Sequence, residues 1–190
     1  MVNRPIRIVA VVASQAGGNT DRLVSRVLDA AREADADNTA ATIHLGAGPL
    51  ETARVDGYLQ SLADADAVVL ATPMFRATYA AVLKDFLERV PRGGPAERFD
   101  GPLRAKAVGI VATGGSHHHF LGADPLIDLL VRYFGAYVVP PLLYGVIRSA
   151  DGPTLDPALV EDAARFGRAV VALGGAIRSD ARLGDARAQI

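Results

Sequence analysis

The sequence predicts an open α/β domain, a doubly wound parallel sheet with helices on both faces. Strand-like and helix-like hydrophobic patterns alternate along the chain, the signature of repeated βα units. Two of the strand segments, Ile6–Ala13 and Ala67–Ala71, are nearly continuous in apolar character, as strands covered on both faces must be. The loops richest in glycine, hydroxyls and proline follow strand ends, where such sheets hold ligands.

Ile6–Ala13 is the first strand, rich in β-branched residues. Ser14-Gln15-Ala16-Gly17-Gly18-Asn19-Thr20 breaks it, and Leu23, Val27, Ala30, Ala31 and Ala34 then recur at helical spacing, with Asn19 or Thr20 as the expected N-cap. Thr39–Leu45 reads as a second strand, weakened by alanines, and Val55–Ala63 as a short helix beyond the loop Gly46–Glu51. Ala67–Ala71, the third strand, runs into Thr72-Pro73-Met74-Phe75-Arg76-Ala77-Thr78-Tyr79. There Pro73 is expected to end ladder bonding and Thr78 to cap a helix from Tyr79 to Val90, leaving the N–H groups between them without internal partners. Pro91–Gly101, with two prolines and three glycines, reads as a loop able to wall a cleft. Lys106–Ala112 is a fourth strand and Leu121–Phe134 a helix with Pro125 in its first turn. Tyr137–Ile147 is a fifth strand interrupted by Pro140-Pro141, which suits an edge or a bulge, and Leu159–Ile177 is the closing helix. Residues 1–178 read as one domain and 179–190 as a flexible polar tail. The expected architecture is the flavodoxin-like three-layer sandwich, strand order 2-1-3-4-5, whose ligand crevice uses the ends of strands 1 and 3.

Composition narrows the function classes. A chain of 190 residues suffices to bury a core without staples, and it contains no cysteine, which removes disulfides, thiolate metal sites and cysteine nucleophiles. A net charge of −1 gives no basic face for nucleic acid. Neither a signal peptide nor an apolar run of about 18 residues is evident, so a cytoplasmic protein with no membrane partner is expected.

Three strand-end loops carry the chemistry. Ser14 to Thr20 combines small residues, hydroxyls and a helix N-terminus, which suits a phosphate, although neither the GxxxxGK[ST] nor the GxGxxG spacing is present. Phe75 and Tyr79 can flank a planar ring while the backbone of Met74 to Arg76 reads its edge. Thr113-Gly114-Gly115-Ser116 exposes N–H groups above the sheet, and His117, His118 and His119 follow. Adjacent helical residues do not share a face, and no acidic partner stands at ligand spacing, so no metal site is expected. A GxSxG elbow is absent, and Asp64 and Asp66 lie at the end of strand 3 away from the crevice, as solvated turn residues. Backbone amides, small residues and aromatics suit a cofactor that does its own chemistry.

The segment Ala71-Thr72-Pro73-Met74-Phe75-Arg76-Ala77-Thr78-Tyr79-Ala80-Ala81-Val82-Leu83-Lys84 resembles the TPxYxxxYSGxLK segment of the NADPH-dependent FMN reductase family. The likeness continues through Ala112-Thr113-Gly114-Gly115-Ser116-His117-His118-His119, and is closest to the branch that feeds reduced FMN to two-component monooxygenases of the alkanesulfonate type. The resemblance implies a flavodoxin-like fold, FMN as flavin and NADPH or NADH as donor, with no catalytic side chain because hydride passes between nicotinamide and flavin. It implies that Ser14, Gly18, Asn19 and Thr20 hold the FMN phosphate. Pro73, Met74, Phe75 and Arg76 would line the isoalloxazine and ribityl, and Thr113, Gly114, Gly115 and Ser116 the pyrimidine edge. A homodimer or homotetramer follows from the same resemblance, through the helix carrying Lys84 and Glu88. Three departures stand out. The family's first loop commonly begins Gly-Ser-Pro-Arg, whereas Ala13-Ser14-Gln15-Ala16 lacks the arginine, which favours exchangeable FMN. Phe75 replaces a tyrosine, and Pro125 stands near where the sulfonate branch carries an aromatic tied to a π-helical bulge, so behaviour linked to that bulge is not carried over. The competing readings are an FMN-bound quinone or azo-compound reductase and a non-enzymatic flavin electron carrier. Arg76, Arg92 and Arg98 are equal candidates for a 2′-phosphate contact.

Overall fold

The computed structural model describes residues 5–46, 48–93, 100–148 and 154–185. Among these residues seven strands, β1 (Arg7–Val12), β2 (Thr39–His44), β3 (Ala67–Phe75), β4 (Thr78–Tyr79), β5 (Ala107–Gly114), β6 (Tyr137–Val138) and β7 (Leu143–Val146), form the sheet. The parallel order is β2-β1-β3-β5-β6, with β7 also parallel to β5 and β4 antiparallel to β3. Counting the split edge strand β6/β7 once and leaving out the β4 hairpin, this is the expected 2-1-3-4-5 order. Pro140-Pro141 separates the two pieces of that edge.

Helices α1 (Asn19–Glu33) and α5 (Pro157–Ser179) cover one face, and α2 (Thr52–Asp64) and α3 (Ala81–Glu88) the other. Alternation along the strands feeds both layers. Val9, Val11, Val68, Leu70, Val108 and Ile110 meet Leu62, Leu83 and Phe86 on one side. Ile8, Ala10, Val12, Val69 and Val111 meet Leu23, Val27, Phe166 and Val170 on the other. Buried Asn38 joins three elements, accepting from the Ile6 N–H at 2.8 Å and donating to Ala31 O at 2.9 Å. At the N-terminal edge, Lys106 Nζ donates to the carbonyls of Leu62, Ala63 and Ala65, closing the end of α2. Asp66, expected as a solvated turn residue, is half-buried instead, accepting from the Arg7 N–H at 2.8 Å and pairing with Arg178 at 3.2 Å.

The segment expected as one helix, Leu121–Phe134, has three parts. A 3-10 helix (His117–Ala123) leads into α4 (Asp124–Asp128) and then a π-helical turn (Leu129–Tyr133), where the Phe134 N–H reaches Leu129 O at 3.2 Å. Pro125 sits in the first turn of α4, where its missing N–H costs nothing. The widened turn therefore coexists with the proline rather than being replaced by it. Beyond α5 one short helix, α6 (Ala181–Gly184), begins at Asp180, whose carboxylate accepts from the Arg182 N–H. Among the described residues no helix is long and apolar enough to cross a membrane.

Candidate functional site

The C-terminal ends of β1, β3 and β5 lie side by side, for Val12 pairs with Ala71, Ala71 with Val111, and Pro73 with Thr113. The loops after them therefore meet at one edge of the sheet. Buried Thr20 and Thr113 join the first to the third through their hydroxyls, 2.7 Å apart.

The first loop is braced differently from expectation. Neither Asn19 nor Thr20 caps α1; the N-cap is Gly18, extended and without a side chain. Thr20 is spent on Thr113, and the Asn19 amide oxygen accepts from Arg22. Asp21 reaches back to the Gly17 N–H at 2.7 Å, half of a capping box displaced by one residue. The same carboxylate meets His44 Nε2 at 2.7 Å, so the end of β2 supports the loop. Burial alone would raise the Asp21 pKa, but the Gly17 N–H and the His44 ring outweigh it and hold it below its ordinary value. Ser14 bends away from β1 with its hydroxyl on Gln15 O at 3.3 Å. The N–H groups of the first turn of α1 have no intrahelical acceptor, as in any helix.

The second loop corrects the reading of Pro73 and Thr78. β3 continues through Pro73 to Phe75 and reverses into β4, with Met74 opposite Tyr79 and Phe75 opposite Thr78. Ala71 turns its carbonyl to the N–H of Ala13, just past the end of β1, at 2.8 Å. Two residues on, the Pro73 nitrogen faces the same side, past the point where β1 has ended, so no ladder donor is lost. Part of the N–H row expected to be free is thus tied up in the hairpin. Thr78 is a strand residue, and helix α3 starts at Ala81 with Ala80 as its N-cap. The hydroxyl that takes the Ala80 N–H is that of buried Thr72, at 2.9 Å. Arg76 and Ala77 form the two-residue turn, both at positive φ (51° and 62°), the pattern of a type I′ hairpin that normally uses asparagine and glycine. Phe75 is 62% exposed beside this turn. Phe75, Thr78, Tyr79, Ala80, Ala81 and Lys84 line an adjoining groove of about 500 Å³.

The third loop packs onto the second. Gly122 approaches so closely that an added Cβ would stand 2.2 Å from Ala77 O, which anchors the 3-10 helix to the strained turn. Gly114 faces Tyr144, whose hydroxyl would lie 2.2 Å from a Cβ there and which donates to Ser116 O at 2.7 Å. Burial raises the Tyr144 pKa and keeps that hydroxyl a neutral donor. Phe120 meets the Tyr144 ring edge to face at 6.0 Å between centroids. Gly115 faces open space, with nothing within 4 Å of an added Cβ. His117 and His118 are exposed and His119 half-buried. Among the described residues no group of three or more His, Asp or Glu side chains is placed to hold a metal.

All three predicted segments thus converge, and Arg22, Asp21, His44, Gly122 and Tyr144 join them although sequence reasoning did not single them out. An acidic residue three positions into a helix was the one readable signal among these. Arg92 stacks over Tyr133, 5.4 Å from the ring centroid, and Arg98 lies outside the described residues, as does most of the Pro91–Gly101 loop. Lys84 and Glu88 form an exposed i,i+4 ion pair on α3.

The family model for NADPH-dependent FMN reductases matches residues 6–150. The chain is 30% identical over 105 residues to the NADH-dependent FMN reductase SfnF of Pseudomonas putida, a match covering 55% of this chain and 52% of that protein. The chain therefore spans about half the length of this curated relative. The apo form of the NADH:FMN oxidoreductase EMOB superposes with a TM-score of 0.72 at 22% identity, covering 96% of this chain and 97% of that one. A flavodoxin, WrbA-like protein from Agrobacterium tumefaciens superposes with a TM-score of 0.66 at 19% identity, covering 92% and 98%. These two likenesses establish the flavodoxin-like fold. With the family model matching most of its length, the chain belongs to the NADPH-dependent FMN reductase family.

Proposed function

We propose that this chain is an NAD(P)H-dependent FMN reductase that takes FMN as an exchangeable substrate and supplies it, reduced, to a partner flavin-dependent monooxygenase. The observation that carries this reading is the convergence of the three loops, locked by the Thr20–Thr113 hydroxyl pair at the ends of β1, β3 and β5. The residues present suit a phosphorylated flavin: the buried Arg22 Nε has no partner, and Gly115 opens onto empty space. In this reading Ser14, Gly18, Asn19 and Thr20 hold the phosphate with the free N–H groups of α1, Thr20 through its backbone because its hydroxyl is taken by Thr113. Pro73, Met74, Phe75 and Arg76 line the ring and ribityl. The ring's pyrimidine edge meets Thr113, Gly114, Gly115 and Ser116, whose amides stabilise the charge that develops there, as donors of an oxyanion hole do. When bound, the flavin supplies the hydride-accepting atom, so the protein binds and orients two nucleotides and needs no proton relay of its own. A homodimer or homotetramer, with NADPH or NADH as donor, completes the proposal.

The test is steady-state oxidation of NADH and of NADPH by the purified protein at varied free FMN. Saturation in added FMN is expected. Turnover indifferent to added FMN would support a bound-flavin quinone or azo-compound reductase instead, and bound FMN without nucleotide oxidation an electron carrier.

A further inference from the structure

We infer that Arg22 is the residue by which this site distinguishes a flavin phosphate from an unphosphorylated flavin; the inference rests on the FMN reading above. The loop from Ser14 to Gly18 contains no cationic side chain. Arg22, on the first turns of α1, folds back over that loop, donating through Nη1 to Gly17 O at 3.2 Å and through Nη2 to the Asn19 amide oxygen. A helix N-terminus already carries partial positive charge, and a guanidinium beside it adds a full one, so an anion there would meet both.

Two further features point the same way. Arg22 Nε is buried without a hydrogen-bond partner, and no carboxylate pairs with Arg22 among the described residues. The neighbouring carboxylate, Asp21, is committed to the Gly17 N–H and His44. Arg26, one turn further on, is exposed and lies 3.9 Å from Asp29, a carboxylate that Arg32 meets at 3.2 Å. Because the Asn19 oxygen faces Arg22, the two hydrogens on Asn19 Nδ2 are left for a different acceptor. A phosphate is the part of FMN that calls for these donors, and riboflavin lacks it. The guanidinium is held by neutral oxygens only, so it supplies charge without a competing internal salt bridge.

The experiment is a titration of the apo protein with FMN and with riboflavin, read by flavin fluorescence quenching without any nicotinamide nucleotide. Arg22→Gln is expected to weaken FMN about tenfold or more, the scale of one charge-assisted hydrogen bond. Riboflavin affinity is expected to stay within about twofold of wild type, since the ring contacts are untouched. Arg22→Lys is expected to keep part of the preference, as a charge without the planar fork. Inorganic phosphate should compete with FMN on the wild type and lose that effect in Arg22→Gln. Equal weakening of both flavins in Arg22→Gln, or an FMN affinity left unchanged, would overturn the assignment. A wild type that binds neither flavin overturns the FMN reading itself, whereas a wild type that prefers FMN, beside an indifferent Arg22→Gln, overturns only the role of Arg22.

Discussion

Gly114 and Gly115 are adjacent on the third loop, yet a side chain at each meets a different world. A Cβ at Gly114 runs into the Tyr144 hydroxyl, so Gly114→Val must displace Tyr144 and break its bond to Ser116 O. Overpacking of this kind costs about 1–3 kcal/mol, and the variant is expected to melt several degrees below wild type whatever it does to the flavin. Gly115→Val meets nothing within 4 Å and should leave the melting temperature nearly unchanged while weakening FMN binding. A Gly115→Val protein with wild-type FMN affinity would place the ring elsewhere. At this scale the sequence marked the two glycines as a backbone-exposing pair. It could not say which of them faces the sheet's far edge, because Tyr144 arrives from β7, 30 residues away along the chain.

Among the elements, the β3–β4 hairpin and the start of α1 show where local rules and tertiary contacts part. Pro73 reads locally as a strand stop, but β1 has already ended beside it, and the strand passes through. Arg76 and Ala77 hold left-handed backbone that costs each about 1–2 kcal/mol, and the contact of Gly122 with Ala77 helps to impose it. At α1, Asp21 takes the bracing role that no N-cap side chain fills, with His44 of β2 behind it. Its lowered pKa ties this brace to pH. The carboxylate's contribution is fully present above the unfolded value of about 3.9 and is lost as pH falls through the lower folded value. The stability gap between wild type and Asp21→Asn should thus be present above about pH 4 and shrink as pH falls below it, as read from urea midpoints. A gap that stays constant into acid would mean that the charge of Asp21 plays no part in the brace.

For the molecule as a whole, the layer spacing depends on glycines that no motif announces. Gly109 lies under Phe166 and Val170, and Gly167 brings α5 against Val27 O, 2.2 Å from where a Cβ would stand. Gly167→Ala would gain about 1 kcal/mol of helix propensity and lose more by parting α1 from α5. A drop of about 5 °C in melting temperature is expected by calorimetry, with the ratio of FMN to riboflavin affinity unchanged because the loops are carried intact. An unchanged melting temperature would show that the two helices can separate freely.

The sequence by itself determined the layered α/β architecture, the strand order and the three segments that meet at the crevice, because hydrophobic period and strand-end loop chemistry are local properties. It also carried the family likeness, for that rests on contiguous segments. Only the tertiary structure decided that Thr72 rather than Thr78 receives the start of α3, that Thr20 bonds Thr113 rather than capping its own helix, and that Arg22 folds back over the first loop. In each case side chains able to make the same hydrogen bond stood within a few residues, and the choice among them was made by neighbours far away in the chain.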